Sequence, residues 1–421
     1  MHVPQPQHLR MTAKVMCLRK PIKRRRIGTS PVQRGTIAAP APGVYASPDD
    51  CYPEKHTSMQ VKSAPTIDLI GVLPEDAGVA LTEHFAARGQ PGYRVKQVLG
   101  WLYERGVESF EEMTNLPAEE REALAAAFDL TELEAARISR STDGTAKHLW
   151  KLRDGELIES VLIPTERRLT LCISSQAGCA MACTFCATGW MGYQRQLTAG
   201  EIVAQYRGAR RWARENGYDE ITNIVFMGMG EPLMNRKAVF PTLRILNQGY
   251  SVGARRITVS TVGIVPGILE MAAMPEQFRL ALSIHAPNAE LRQQLIPVEK
   301  KYPLPELLEA LREFDAAGGK RITFEYIMID GVNDSIEIAD QLIGVVGQFN
   351  AFVNLIPFNP IPETEWRPSP ANRLRAFARR LDDAGISAAV REPRGSDIAA
   401  ACGQLKAEAT VGRAPVKIGS L

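Results

Sequence analysis

This 421-residue chain has no long hydrophobic runs, a small net charge and few cysteines. No uninterrupted apolar run approaches the roughly 20 residues of a membrane span, so we expect no membrane partner. The net charge is only +3, so overall charge does not by itself identify a nucleic-acid binder. The seven cysteines, three clustered and the others scattered, are typical of a reducing compartment and predict a cytoplasmic location.

Acidic residues are missing from the start of the chain: no Asp or Glu precedes Asp49, while residues 19–26 concentrate positive charge. Residues 1–65 also contain many prolines and little apolar periodicity, which predicts a disordered extension. No apolar stretch of signal-peptide length follows the charges. The extension is a basic arm for RNA phosphates, a solvated tail, or the result of an upstream start with Met11 and Met59 as alternatives. The sequence leaves these three open.

Residues 66–140 predict a small helical domain. Apolar residues recur at helical spacing in stretches that open near Pro74, Tyr93, Ser109 and Pro117, and turns with Gly or Pro separate them. The basic residues of this domain either contact phosphate or form an ordinary solvated face. We interpret it as an accessory docking domain.

Strands and helices alternate through residues 141–410, after a hairpin-like region over residues 146–163. This alternation predicts a parallel sheet with right-handed crossovers, curled into a partial barrel. The strand candidates are residues 169–174, 221–227, 256–260, 279–285, 322–329 and 352–357. In such a fold the functional residues lie at the carboxyl ends of the strands. Residues 411–421 are expected to form a flexible tail.

Three cysteines, Cys179, Cys183 and Cys186, follow the first of these strands with C-x3-C-x2-C spacing. A structural zinc site closes its tetrahedron with four protein ligands, and no His or Cys within twenty residues downstream supplies a fourth. A four-iron cluster held by three thiolates keeps one iron open for a small molecule. The loop resembles that of the radical S-adenosylmethionine superfamily.

Polar residues stand at the ends of later strands. The glycine-rich turn over residues 227–233 lets backbone approach a ligand closely, and Glu231 can accept from an ammonium group. Ser260, His285 and Asn359 end the third, fourth and sixth strands. His285 is either a packed strand-end histidine or part of the site, and its position favours the site.

Two further cysteines are Cys172, at the entrance of the cluster loop, and Cys402, in the stretch of residues 395–405. The simplest interpretation of each is a small buried hydrophobic residue. Both fall at loop positions, however, and a pair of thiols near a radical-forming site indicates covalent catalysis.

Six stretches together resemble the bacterial dual-specificity RNA adenine C2-methyltransferases of the radical S-adenosylmethionine superfamily. These are residues 159–164, 172–186, 228–232, 283–287, 354–360 and 400–405. The resemblance covers roughly residues 66–410. It implies an α/β fold, a partial (β/α)6 TIM-like barrel of the radical SAM type over residues 141–410, with an N-terminal helical RNA-docking domain.

The resemblance also implies cofactors, substrates and binding residues. Cys179, Cys183 and Cys186 would hold a [4Fe-4S] cluster, and two molecules of S-adenosylmethionine would be used per turnover. The substrates would be an adenosine in the peptidyl-transferase centre of 23S rRNA (position 2503) and adenosine 37 of tRNAs. A flavodoxin or ferredoxin would deliver electrons to a monomeric enzyme. The residues implied to surround S-adenosylmethionine are Gly230, Glu231, Ser260, Ser283, Ile284, His285 and Asn359.

The mechanism implied by the resemblance uses three further residues. Cys402 takes a methyl group from one S-adenosylmethionine, and a radical made from a second removes a hydrogen from that methyl group. The methylene radical adds to adenine C2, which no ordinary methyl transfer reaches because that carbon is not nucleophilic. Glu159 would then remove the C2 proton. Cys172 would attack the Cys402 sulfur and release the product as a Cys172–Cys402 disulfide forms.

Three alternatives remain at this point. The antibiotic-resistance relatives that methylate adenine C8 share the cysteines and Glu159, although Pro232 after Glu231 favours C2. A non-catalytic iron–sulfur or zinc RNA-binding module would need neither Glu159 nor Cys172 and Cys402. A radical enzyme acting on a small molecule would need no separate docking domain.

Overall fold

The computed structural model of the protein describes residues 66–318 and 322–407. The predicted disordered extension over residues 1–65 and the predicted tail over residues 411–421 lie outside the described residues. No helix in the described ranges is long and apolar enough to cross a membrane.

The predicted helices of residues 66–140 are present. Leu81, Phe85, Val98 and Leu102, at helical spacing, are almost completely buried, so each helix presents one apolar face inward. A pair of two-residue parallel strands joins the two ends of the region. Its elements are β1 (Ile67–Asp68), α1 (Pro74–Ala87), α2 (Tyr93–Gly100), the π-helical turn Trp101–Arg105, the 3-10 turn Phe110–Glu112, α3 (Ala118–Ala127) and β2 (Phe128–Asp129).

A large sheet and a small hairpin account for the other strands of the described residues. The strands are β3 (Glu134–Arg140), β4 (Ala146–Lys151), β5 (Leu157–Thr165), β6 (Arg168–Cys172), β7 (Gln176–Gly178), β8 (Tyr193–Gln196), β9 (Asn223–Phe226), β10 (Ile257–Thr261), β11 (Arg279–Ser283), β12 (Ile322–Met328), β13 (Ala351–Pro357) and β14 (Ala388–Val390). The hairpin is β7–β8, and the sheet contains the other ten from β3 onward.

The order of the large sheet confirms the predicted partial barrel. Strands β6 and β9 to β13 are neighbours in chain order and pair in parallel. The sheet is extended by parallel β14 at one edge and by antiparallel β5, β4 and β3 at the other. In the described part of the chain β3 and β14 do not pair with each other, so the barrel stays open.

Helices follow the parallel strands and pack apolar faces against the sheet. In the longest of them, Thr198 and Glu201 form a reciprocal capping box that fixes where the helix begins. Its Gln205 side chain exchanges two 2.9 Å hydrogen bonds with the backbone of Ser174, at the entrance of the cysteine loop. The helices are α4 (Ala187–Met191), α5 (Ala199–Glu215), α6 (Arg236–Arg244), α7 (Val265–Ala272), α8 (Ala289–Leu295), α9 (Leu304–Ala316), α10 (Ile336–Val346) and α11 (Ala371–Asp383).

A buried histidine in β4 makes the stability of this fold sensitive to acid. His148 is fully buried, stacks on Trp150 at a ring distance of 5.1 Å and meets the edge of Trp212. Among the described residues neither ring nitrogen has a hydrogen-bond partner. Burial lowers the pKa of His148 from 6.5 to about 4, because the charged ring would lose its hydration without compensation.

We therefore expect His148 to lower the stability of the protein between pH 7 and pH 5. Below pH 6.5 the unfolded chain binds a proton at His148, whereas the folded chain does not bind it until about pH 4. The contribution of His148 to the free energy of unfolding should fall by roughly 2 kcal/mol between pH 7 and pH 5. Denaturant titrations followed by tryptophan fluorescence measure the total change, and it should differ by about that amount between His148→Phe and wild type, because the other titrating groups are the same in both. An equal change in the two proteins would contradict this role of His148.

Candidate active site

The three clustered cysteines lie on the loop between β7 and α4. Gly178 has a φ of +75°, and a Cβ there would lie 2.0 Å from the carbonyl oxygen of Gly192, so only glycine fits. The backbone N–H of Cys179 donates to that same carbonyl at 2.9 Å, and the N–H of Cys186 donates to the carbonyl of Cys183. The loop is thereby curled so that all three thiols face one cavity.

We call this the cysteine cavity, and it has about 900 Å³ of empty space that is partly open to solvent. It is formed at the carboxyl ends of β9, β10 and β11, as the alternating pattern predicts. Most predicted site residues lie in its wall. They are Cys179, Cys183, Cys186, Gly230, Glu231, Ser260, Ser283, His285 and Cys402.

The three thiols fit a cluster, because they lie on one loop in the wall of one cavity and an iron–sulfur cluster offers separate irons to separate thiolates. Burial raises the pKa of Cys179, Cys183 and Cys186, so these thiols are protonated when no metal is bound. Coordination to a metal deprotonates such thiols.

Glu231 follows the glycine-rich turn after β9 and is held by backbone donors. Gly230 has a φ of +97°, and a Cβ there would collide with Gln176, so the close approach of the two segments requires glycine. The Glu231 carboxylate accepts from the N–H groups of Leu233 at 3.0 Å and Val262 at 2.9 Å. Burial nevertheless raises the pKa of Glu231 to about 7. A cationic ligand in the cysteine cavity would supply the missing compensation.

His285, just after β11, is a neutral ring with a defined orientation. Its Nδ1 accepts from the backbone N–H of Ile327 at 3.0 Å, which leaves the proton on Nε2. Burial lowers the pKa of His285 to about 3. Ile284 lies beside it, fully buried and outside the cavity wall, and its backbone N–H donates to the carbonyl of Glu325 at 3.2 Å.

Cys172 and Cys402 share a second cavity, which we call the thiol-pair cavity, with about 660 Å³ of empty space. Val161, Ile163 and Ile356 form apolar parts of its wall. Cys172 is buried at the end of β6, and burial raises its pKa to about 12. Asn359, which the sequence predicts to contact S-adenosylmethionine, lies in the wall of the thiol-pair cavity and not in that of the cysteine cavity.

Cys402 is the thiol that the two cavities have in common. Cys402 is exposed, and the surrounding protein atoms desolvate its thiol and raise its pKa to about 11. The amide of Asn359 donates to the Cys402 carbonyl at 3.0 Å. A group carried on the Cys402 sulfur can therefore face either cavity.

Glu159 lies outside the walls of both cavities. It is 1% exposed, pairs with Lys147 at 2.9 Å and accepts from the backbone N–H of Lys406 at 2.9 Å. It is on the same face of the sheet as Val161, two residues along β5, so it is adjacent to the thiol-pair cavity but covered in this state.

Two wall residues were missed by sequence reasoning. Glu325, in the middle of β12, is 4% exposed and lines the cysteine cavity. One of its oxygens accepts from Asn354 at 2.8 Å, and the other has no hydrogen-bond partner among the described residues. Arg391 lies 3.9 Å from Glu325 and lines the thiol-pair cavity. A carboxylate inside an otherwise apolar strand was the available signal for Glu325; Arg391 gave none.

The chain matches two family models. Residues 173–342 match the radical SAM superfamily, and residues 77–130 match the ribosomal RNA large subunit methyltransferase N-terminal domain. The chain also aligns with a crystal structure of a radical SAM methyltransferase from Sphaerobacter thermophilus at a TM-score of 0.77 and 46% identity. That alignment covers 81% of this chain and all of the other.

Curated relatives agree with the models. A probable dual-specificity RNA methyltransferase RlmN from Gemmatimonas aurantiaca is 52% identical over 351 residues, covering 83% of this chain and 96% of the relative. The chain belongs to the RlmN family. The dual-specificity RNA methyltransferase RlmN of Psychrobacter arcticus is 41% identical, covering 77% of this chain and 85% of the relative.

Membership of the RlmN family confirms the predicted fold, enzyme class and cofactors. The protein is a radical S-adenosylmethionine RNA methyltransferase that uses a [4Fe-4S] cluster and S-adenosylmethionine. The predicted disulfide is absent from this state, since all five cysteines in the described ranges are free. The reason is chemical: both Cys172 and Cys402 are protonated thiols here, and forming their bond requires an oxidation.

Proposed function

We propose that the protein methylates adenine C2 at one position of 23S rRNA and at adenosine 37 of tRNAs, with Cys402 as the carrier of the methyl carbon. The observation that carries this is the position of Cys402 in the walls of both cavities. A carrier must first meet the methyl donor and then the base. The names of the relatives, dual-specificity RNA methyltransferases, favour this substrate class over a small molecule.

In this proposal Cys179, Cys183 and Cys186 hold the cluster, and the cysteine cavity holds S-adenosylmethionine. When bound, the cluster supplies the electron that starts radical chemistry on that cofactor. The Glu231 carboxylate pairs with the ammonium of the methionine part, and Ser260 and Ser283, whose hydroxyls lie 3.5 Å apart, bind its polar groups. The Nε2–H of His285 completes the polar wall, and Ile284, which lies outside that wall, packs beneath it.

The target adenine enters the thiol-pair cavity, whose apolar wall suits the faces of a purine ring. Once carbon on Cys402 is bonded to C2, the Glu159 carboxylate removes the C2 proton. Cys172 then attacks the Cys402 sulfur: an S–S bond forms, the S–C bond breaks, and the proton lost from the Cys172 thiol balances the proton gained by the released carbon, which becomes the methyl group. The two sulfurs lose two electrons in this step, so an external thiol must reduce the disulfide before the next turnover.

The helical region of residues 66–140 is proposed to dock the RNA, with its match to an rRNA methyltransferase N-terminal domain as support. The basic residues of this region differ in how freely their side chains can reach a phosphate. Arg105 stacks on Trp101 at 4.0 Å and Arg94 donates to Gln90, whereas Lys96 is exposed. A monomeric enzyme, a cytoplasmic location and a flavodoxin- or ferredoxin-type donor stay predictions.

Mass spectrometry of RNA nucleosides tests the function. The chain is expressed in a bacterium whose own enzyme of this kind has been deleted, and rRNA and tRNA are digested separately. We expect C2-methyladenosine to return in both RNA classes. C8-methyladenosine instead would assign the chain to the C8-methylating relatives, and methylation of one RNA class alone would contradict dual specificity.

A further inference from the structure

The segment that carries Cys402, residues 399–406, is here called the Cys402 loop. Its interior is tied to the rest of the site through its carbonyl groups. The carbonyls of Cys402, Gly403 and Leu405 accept from Asn359, from the N–H of Ala187 and from the hydroxyl of Thr188, at 3.0, 2.8 and 2.6 Å respectively. These bonds hold the middle of the loop but leave its two ends to other groups.

One buried ion pair holds both ends. The Lys147 ammonium donates to the carbonyl of Ala399 at 3.1 Å and pairs with Glu159 at 2.9 Å. The second oxygen of Glu159 accepts from the backbone N–H of Lys406 at 2.9 Å. Thus the first residue of the loop is bound by the lysine and the last by the carboxylate.

The sheet places this pair beside the two thiols. Lys147 in β4 is opposite Val161 in β5, which is in turn opposite Cys172 in β6. Opposite residues in antiparallel strands point to the same face, and so does Glu159, two residues from Val161. Lys147 is 8% and Glu159 1% exposed, so neither charge has water to replace its partner.

We infer that Lys147 is a positioning residue whose pairing with Glu159 locks the Cys402 loop, and that proton uptake by Glu159 during the reaction unlocks it. The inference rests on the proposed function for Glu159 and Cys402. Each Glu159 oxygen has one partner, Lys147 or Lys406, and keeps acceptor capacity for the C2 proton. Proton uptake removes the negative charge that holds both partners, so base action weakens the lock.

The proton balance sets the order of steps. The adduct formed by radical addition would first return its unpaired electron to the cluster. The C2–H bond then breaks, its electron pair stays on the purine, and an O–H bond forms on Glu159. The carboxylate becomes neutral, so its attraction for Lys147 and for the Lys406 amide weakens. The two ends of the Cys402 loop are then released, so that its sulfur can move toward Cys172 while the carbonyl bonds hold the middle of the loop.

Hydrogen–deuterium exchange of the cluster-loaded protein, read on peptides within residues 395–405, tests the lock without any turnover. Lys406→Pro removes the amide that donates to Glu159, and Lys406→Ala keeps that amide while losing the ion pair of the side chain with Glu363. We expect exchange to rise about 10-fold in Lys406→Pro, as for one charge-assisted hydrogen bond, and to stay near the wild-type rate in Lys406→Ala. Equal rates in these two variants would overturn the role of Glu159 as the anchor.

A second set of variants tests whether the positive charge of Lys147 holds the Cys402 loop. Lys147→Met keeps the length of the side chain, and its matched control is Lys151→Met, on the same strand in an exposed pair with Glu134. Exchange should rise about 10-fold in Lys147→Met, stay unchanged in Lys151→Met, and return to within about threefold of wild type in Lys147→Arg. Failure of Lys147→Arg to restore protection when Lys147→Met has lost it would indicate packing rather than charge.

Glu159→Gln tests the unlocking step, since it keeps an oxygen for the Lys406 amide and removes the charge. We expect it to raise loop exchange about 10-fold, as the protonated carboxyl would. Wild-type protection in Glu159→Gln would overturn the unlocking. Because exchange is measured without substrate, a wild-type enzyme that fails to methylate RNA would overturn the proposed function and leave the result on the lock intact.

Discussion

Cys172→Ala protein is expected to retain RNA through denaturing purification, at about one RNA per chain, because the covalent adduct forms but cannot be resolved. Wild type and Cys402→Ala should be free of RNA, the first because it completes turnover and the second because no carrier sulfur is present. Glu159→Gln should also accumulate adduct, since the C2 proton has to leave before release. Nuclease digestion followed by mass spectrometry of the tryptic peptide that contains Cys402 measures the adduct.

The positions of the two thiols support different roles, with Cys402 as the carrier and Cys172 as the thiol that releases the product. Cys402 is exposed at the junction of the two cavities, whereas Cys172 lies buried in the wall of one. Burial raises the pKa of Cys172 to about 12, so it is a protonated thiol in the unliganded protein. RNA-free Cys172→Ala protein with normal turnover would make Cys172 an ordinary buried thiol and contradict the last step.

Anaerobically prepared protein should be brown and contain about four irons per chain. Replacement of Cys179, Cys183 or Cys186 by Ala should remove the colour and nearly all of the iron, because each thiol is one of three ligands and none is replaceable by a nearby side chain. Cys172→Ala is the control, since it removes a neighbouring buried thiol and should keep its iron. Metal analysis with absorption spectra measures the result, and stoichiometric zinc without iron after reconstitution would contradict it.

The fold was largely predictable from pattern. Each predicted parallel strand is present with ends that differ by a few residues, as for residues 169–174 against β6 (Arg168–Cys172). Two edge strands, β3 and β14, were not predicted. The first has mostly exposed, mixed residues and the second has only three residues, so neither shows the apolar pattern that marks a buried strand.

The site was predictable where its residues stand at strand ends. Cys179, Glu231, Ser260 and His285 all line the cysteine cavity, because the carboxyl ends of parallel strands lie at the same edge of the sheet. Glu325 was missed because it lies within a strand, where only the register with Ser283 shows that it faces the same cavity.

The sequence by itself determined which chemical groups this protein has. Local residue patterns are sufficient to recognise the three-thiol loop, the glycine turn before Glu231 and the two other thiols. Only the tertiary structure decided how that chemistry is arranged. It joined two cavities at Cys402 and placed Glu159 beneath the Cys402 loop with Lys147 as its partner. Those contacts connect residues about 250 positions apart, as between Glu159 and Lys406. Such pairings depend on strand register and chain return, which no local pattern encodes.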